Sequence, residues 1–247
     1  TILGSDGQKM SKSRGNTVMP DEYIEMYGSD VFRMYLAFGF AYVEGGPWSD
    51  DGIKVIDRFV GRIERFVEKL VSERGKASSD IMGTEEKELN YIRNYAIKSV
   101  TEDTEQFQFN TSIARLMELV NAMYKYDALE NKNRALLEDT ARDLIKLLSP
   151  FAPHFAEEMW EMLGNTTSIF NEPWPVHDEK ALVKDEVELA VQFNGQIKYR
   201  INVPSDADNR TIEEMAINDV RSRPYLQDKT IVKVIVVKNR LVNIVVK

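Results

Sequence analysis

S49-D-D-G-I-K-V-I-D-R-F-V-G-R-I-E-R-F-V-E-K-L70 reads as one long amphipathic helix, and the rest of the chain is best understood outward from it. Ser49 is a good N-cap, and Asp50 and Asp51 put negative charge in the first turn, where the helix dipole favours it. Ile56, Val60, Ile63, Val67 and Leu70 recur at four- and three-residue steps, which places them on one stripe. A stripe of that length needs other helices to cover it. Arg58, Arg62, Arg65 and Lys69 repeat the same steps two residues later. At about 100° per residue they stand nearly opposite the stripe, as a basic ridge. Such a ridge is either a solvated face or a track along a phosphate backbone, and the spacing fits both.

Downstream, helical periodicity continues over 84–107, 110–129 and 132–148, then breaks at Pro150 and Pro153 before a short helix over 155–163. Met117, Met123, Met159, Met162 and Trp160 fall at core positions. Helices joined by short connections predict an antiparallel bundle over 49–164. Residues 165–186 are polar with scattered aromatics and prolines, and read as a linker. The period then changes to two. Val187, Leu189, Val191 and Phe193 alternate with polar residues, and Ile197, Tyr199, Ile201 and Val203 do so after Asn194-Gly195, the strongest short-range hairpin signal. A helix over 209–217 and a second hairpin, 230–237 and 241–246 across Lys238-Asn239, complete a β-β-α-β-β pattern over 187–247. Upstream, P20-D-E-Y opens a helix that Gly28 stops, a second helix covers 30–38, and E44-G-G-P-W48 reads as a turn and domain boundary. The expected fold is mainly α with a small α+β domain, in segments 1–48, 49–164, 165–186 and 187–247.

Composition narrows the functions available. The 247 residues are 43% hydrophobic, enough for a substantial core in two or three folded units. No apolar run approaches the roughly 18 residues of a membrane span. Cysteine is absent, which excludes disulfides and thiolate metal sites. Only His154 and His177 offer imidazole, and His154, between Pro153 and Phe155, reads as a packed histidine at a helix start rather than a ligand. The chain opens at Thr1 in what reads as the interior of a domain, which predicts a piece of a longer protein. The net charge of −8 argues against nucleic acid at first sight, but residues 184–247 carry 11 basic and 9 acidic groups and form the only positive segment.

K9-M-S-K-S-R-G-N16 sets three cations among small hydroxyl side chains, with no apolar period. A P-loop, a G-x-G-x-x-G fingerprint, a Ser-His-Asp set and a metal-ligand cluster are all missing from the sequence. What remains is a loop offering ammonium groups from Lys9 and Lys12, hydroxyls from Ser11 and Ser13, and Gly15 for a turn. Those parts suit a polyphosphate whose charge shifts during reaction.

The same stretch, K9-M-S-K-S13, resembles the KMSKS loop of class I aminoacyl-tRNA synthetases letter for letter. A chance match in a chain this long is on the order of one in ten thousand. The R14-G-N16 continuation, Y27-G-S-D-V-F-R-M-Y35, F109-N-T-S-I-A-R115 and L148-S-P-F-A-P-H-F-A-E-E-M-W160 resemble the leucine, isoleucine, valine and methionine subgroup. V191-Q-F-N-G, I201-N-V-P and L241-V-N-I-V-V-K247 look like the end of bacterial-type leucyl-tRNA synthetases. Arg14 stands where that family commonly has lysine, and G195-Q-I-K-Y-R200 departs from its usual continuation. Nothing resembles the HIGH motif, the nucleotide-binding sheet or the editing domain.

The resemblance implies a ligase that joins leucine to tRNA(Leu) through leucyl-adenylate, with ATP as substrate, Mg2+ accompanying it, and no metal site within this stretch. Lys9 and Lys12 would be the catalytic cations on the β- and γ-phosphates, Lys12 in direct contact. Ser11 and Ser13 would shape the ATP-binding loop, and Met10 would seat it. The bundle would be of the anticodon-binding type, and the tail would touch tRNA. Arg58, Arg62, Arg65 and Lys69 of the bundle and Lys198, Arg200, Lys238 and Arg240 of the tail would be the tRNA contacts, the hairpins placing Lys198 and Arg200 beside Lys233, Lys238 and Arg240. The enzyme would be a cytoplasmic monomer, and this stretch alone would be inactive. A valine, isoleucine or methionine ligase, a tRNA-binding module without catalysis, and a structural domain without RNA affinity are the alternatives.

Overall fold

The computed structural model describes residues 1–183, 186–205, 207–238 and 240–247, in two units, Thr1–Leu182 and Val183–Lys247. Asn239 of the predicted second turn and Lys184 and Asp185 of the predicted linker lie outside the described residues.

In the first unit, β1 (Ile2–Leu3) pairs in parallel with β2 (Gly46–Pro47). Between them lie α1 (Pro20–Tyr27) and α2 (Ser29–Phe38). Gly28, at φ 82°, parts the two helices in a conformation that L side chains rarely adopt. The long helix α3 (Asp50–Ser72) is capped as its sequence predicts, the Ser49 hydroxyl accepting the Gly52 N–H at 3.2 Å. Ile53, Phe59 and Phe66 widen its buried stripe beyond the five residues read from spacing.

The rest of the bundle is α4 (Thr84–Glu105), α5 (Phe109–Asp127), α6 (Arg134–Leu148) and α7 (Pro153–Met162). Pro153 opens α7 because the first helical position needs no N–H. Met123, Met159 and Trp160 are buried, and Met117 and Met162 pack partly buried against the same core. Among the described residues, no helix is long and apolar enough to cross a membrane.

Two expectations change here. The turn before Ser49 is no boundary between cores. Met34 and Tyr35 of α2 and Trp48 belong to the cluster that fills the bundle. Trp48 packs edge-on to Tyr23 and Tyr35, with ring centroids at 4.7 and 4.9 Å, and the Tyr35 hydroxyl accepts the Ser49 N–H at 2.9 Å. Gly and Pro mark only a local reversal, while the apolar Trp48 that follows them fixes which core the turn joins.

Residues 165–182, read as a linker, lie as a strap on α7 and α4. Glu157 accepts the Ile169 N–H at 3.0 Å, Trp174 donates its indole N–H to the Thr101 hydroxyl at 2.8 Å, and Asn94 accepts the Asp178 N–H at 2.7 Å. Polar composition looks loose because side chains of distant helices supply its partners.

In the second unit, β3 (Glu186–Phe193) and β4 (Gln196–Pro204) form a hairpin through Asn194 and Gly195, both at positive φ. Then come α8 (Asn209–Asn218), the one-turn α9 (Arg223–Leu226), β5 (Ile231–Val237) and β6 (Leu241–Val246). The sheet order is β4-β3-β6-β5, with β3 and β6 parallel and the outer pairs antiparallel. Leu189, Val191, Ile201, Val203, Val242 and Ile244 form a core that α8 closes with Ile212 and Ala216. Ile197, read into the alternating run, is 60% exposed, because a bulge at Val191–Gln192 shifts the register.

Candidate functional site

The loop over residues 4–16 is built around Asn16. Its Oδ1 accepts the Ser11 N–H at 2.8 Å, and its Nδ2 donates to Asp6 Oδ1 and Oδ2, each at 3.2 Å, and to the Lys9 carbonyl at 3.4 Å. Asp6 also accepts the Gln8 N–H at 3.0 Å. Those hydrogen bonds, from Gln8 first and then Asn16, hold the Asp6 carboxyl below its ordinary range. Gly4 sits where the chain closes. A Cβ there would stand 2.7 Å from Asp6 Oδ1 and 3.0 Å from the Asn16 carbonyl. Gly15, at φ 68°, ends the short 3-10 turn Lys12–Arg14.

Within this frame Met10 packs partly buried against the main core, and the Ser11 and Ser13 hydroxyls bond to each other at 2.8 Å. Lys9, Lys12 and Arg14 are exposed. None of the three makes an ion pair among the described residues. The five residues expected to bind ATP are consecutive and lie along this loop, Lys12 and Ser13 on its 3-10 turn, with Lys9 and Lys12 free of ion pairs among the described residues. Chemically, it can present two mobile ammonium groups and a hydroxyl pair to a polyanion.

The basic ridge of α3 is less uniform than its spacing. Arg62 lies half-buried against α5, donating to Asn121 Oδ1 at 2.9 Å with its guanidinium 5.0 Å from the Tyr124 ring centre. Lys69 donates to Asp127. Both hold α3 to α5, leaving Arg58 and Arg65 as the exposed members without an ion pair among the described residues.

The tail cations do not stand side by side as the hairpins suggested. Lys198 and Arg200 are on edge strand β4, and Lys233 is on the opposite edge strand β5, with Lys238 just beyond it. Arg200, Ala190, Leu241 and Val237 form one row across the four strands, so the edges are roughly 14 Å apart at strand spacings of about 4.8 Å. The parallel pairing of β3 with β6 puts one strand of each hairpin at the centre, which drives the outer strands apart. Arg200 is paired with Glu188 at 2.6 Å, and Lys198 lies 5.6 Å from the Tyr225 ring centre. Tyr199 faces inward, its hydroxyl donating to the Ala216 carbonyl at 3.2 Å.

Sequence reasoning overlooked Asp6 and Asn16, whose signal was there to read: a short acid and an amide flanking a Gly-rich loop. It also misjudged His154. The residue does begin α7, but its side chain is 82% exposed, with Nδ1 2.9 Å from Asp30 Oδ1. The buried group there is Asp30, which caps α7 by accepting the Phe155 N–H at 2.6 Å.

Comparison with known proteins places these features. Residues 86–214 match the family described as the anticodon-binding domain of tRNA ligase, and residues 1–45 match class I tRNA synthetases (I, L, M and V). The whole chain is 58% identical over 250 residues to a leucine–tRNA ligase of Caldanaerobacter subterraneus subsp. tengcongensis. It is 59% identical over 248 residues to that of Clostridium kluyveri. It spans only 30% and 31% of those relatives. Among solved structures, the ternary complex of Agrobacterium radiobacter K84 agnB2 LeuRS, tRNA and LeuAMS matches with a TM-score of 0.83 at 29% identity, over 100% of this chain and 33% of that one. Mycobacterium tuberculosis methionyl-tRNA synthetase with methionyl-adenylate shares the fold over 67% of this chain and 37% of its own, at a TM-score of 0.59 and 18% identity.

Proposed function

The chain belongs to the family of tRNA-ligase anticodon-binding domains, and we propose that it is the part of a leucine–tRNA ligase that handles the ATP phosphates and holds the tRNA. The observation that carries this reading is the loop over 9–13, held by Asn16, whose two lysines stand exposed with no ion pair among the described residues. The likeness to leucine–tRNA ligases over the whole chain supports the choice of amino acid.

In the reaction, a leucine carboxylate oxygen attacks the α-phosphorus of ATP, and pyrophosphate leaves with the electrons of the broken P–O bond. Lys12 meets the charge that grows on the leaving group, and Lys9 holds the outer phosphate. Ammonium groups aimed at developing charge lower the barrier more than they tighten ground-state binding. The Ser11–Ser13 hydroxyl pair sets the width of the turn, and Met10 seats it on the core. Mg2+ enters as part of the ATP substrate. The 3′-terminal ribose hydroxyl of tRNA(Leu) then attacks the leucyl carbonyl and releases AMP. Arg58 and Arg65 on the bundle, and the cations of the tail, serve as phosphate contacts to the tRNA. A cytoplasmic, monomeric enzyme goes with this reading.

The test is Lys12→Ala in the full-length ligase that carries this chain. Leucine-dependent pyrophosphate exchange should slow by about 10²–10³, the usual loss for one transition-state charge contact, with KM for leucine unchanged. A variant that keeps its rate and only loses tRNA affinity would make the loop a tRNA contact and this stretch a binding module.

A further inference from the structure

A loop that must deliver two flexible lysines needs its backbone fixed, because among the described residues no ion pair holds the lysine tips. Asp6 and Asn16 are the side chains that span this loop. Together they tie the chain before the lysines (Asp6), the chain between them (the Lys9 carbonyl and Ser11 N–H) and the chain after them (Asn16 itself). The Asn16 amide is used at both ends, Oδ1 as acceptor and Nδ2 as donor. The Asp6 carboxylate takes three hydrogen bonds, one from the Gln8 backbone and two from Asn16. The close packing at Gly4, where a Cβ would collide with Asp6 and Asn16, shows that backbone and clasp are fitted to each other.

Resting on the function proposed above, we propose that Asp6 and Asn16 are positioning residues: a carboxylate–amide clasp that fixes the separation and direction of Lys9 and Lys12 toward the pyrophosphate. Neither touches the reacting atoms. They act by holding the Lys9–Gly15 turn in one pose, so that its cations meet the leaving phosphates without reorganisation. Misplacing such a group by about 1 Å costs on the order of 10²-fold in rate.

The experiment uses the full-length ligase and leucine-dependent pyrophosphate exchange, with Asn16→Ala, Asp6→Ala, the double variant and Asp6→Asn. Each alanine variant should lower kcat by about 10- to 100-fold, with KM for leucine and affinity for tRNA unchanged. Because the two residues act as one unit, the double variant should lose no more than either single one. Asp6→Asn keeps an oxygen that can accept from Asn16 and Gln8, and should recover most of the rate. A merely structural role would instead lower Tm and tRNA affinity together and give additive losses, which would overturn the clasp. If Asn16→Ala fails to fold, Asp6→Ala at its exposed site carries the same comparison. Lys12→Ala in the same assay separates the two ideas. If Lys12→Ala is silent, the reading of the loop falls and the clasp with it. If Lys12→Ala loses rate while Asp6→Ala and Asn16→Ala stay within about twofold of the parent, the clasp alone is overturned.

Discussion

At the scale of single residues, burial decides which ion pairs matter. Asp127 is 6% exposed and Lys132 8%. Lys132 Nζ donates to Asp127 Oδ1 at 2.7 Å and to the Asp127 backbone carbonyl, while Lys69 donates to Oδ2. Burial pushes the Asp127 carboxyl up, but the hydrogen bonds from Lys132 and Lys69 outweigh it and leave it lowered. Asp127→Ala would leave the Lys132 ammonium buried and without its carboxylate, and should cost about 3–5 kcal/mol in urea unfolding. Arg200–Glu188 is as short, at 2.6 Å, yet both side chains are more than half exposed, so Arg200→Ala should cost less than about 1 kcal/mol. Acid and base should also separate. Glu73 is held down to about 2 by Arg134 and Lys76, and Glu86 is lowered chiefly by the Tyr126 hydroxyl. Carboxylates with a depressed folded pKa stabilise fully above their ordinary 4.5, and that stability is lost as pH falls toward 2. Tyr126, pushed up to about 12 by burial and then by Glu86, has the opposite sign and loses its contribution as pH rises above its ordinary 10.0. Circular dichroism melts should therefore give a level Tm from about pH 5 to 9 that drops on both sides. A Tm that holds at pH 3 would contradict the acid arm.

At the scale of elements, the periodicities were legible because each is local. The α3 stripe, the Ser49 cap and the alternation of β3 are set by neighbours within a few residues. The Asn194–Gly195 turn shows where local chemistry meets the fold. Its two residues satisfy the positive φ that the tight hairpin demands, at 49° and 82°. The Asn194 amide also bonds to β6 both ways, accepting the Val246 N–H at 2.9 Å and donating to the Val246 carbonyl at 3.2 Å. Asn243 Oδ1 accepts the Gly195 N–H at 3.0 Å. The turn therefore stitches the parallel β3–β6 pair as well as closing a hairpin. A Cβ at Gly195 meets nothing within 4 Å, so Gly195→Ala is penalised by backbone strain alone, about 1–2 kcal/mol. Hydrogen exchange should quicken at β3, β4 and β6 amides, with no change in α3 to α7. Unchanged protection in the sheet would mean that the strain is absorbed elsewhere.

At the scale of the whole molecule, an acidic chain carries one mildly positive unit, and charge suggests how the two divide the work. Residues 184–247 hold 11 basic and 9 acidic groups against 17 and 25 in residues 49–183. On the proposed function, removing residues 184–247 from the full-length protein should weaken tRNA charging while sparing leucine-dependent pyrophosphate exchange, which needs no tRNA. The log–log salt dependence of tRNA affinity should flatten by somewhat under one for every phosphate that the tail neutralises. Lys198 and Arg200 lie on one edge strand and Lys233 on the other, with Arg240 leading into central β6, so on the proposed function the tail would span a backbone rather than grip one phosphate. Unchanged charging and an unchanged salt slope would reduce the tail to a solubilising cap.

Residue types at short spacing were enough to mark the long helices, the four strands of the tail, the hairpin turn and the lysine loop. Distant packing, by contrast, placed Trp48 in the bundle core, laid residues 165–182 down as a strap, and set Arg62 and Lys69 between helices. The same distant pairing set Lys198 and Arg200 on one edge of the sheet and Lys233 on the other. The reason is physical. Propensity, capping and turn strain act within a few residues, whereas the choice of a hydrogen-bonding or packing partner depends on which distant groups the folded chain brings within reach.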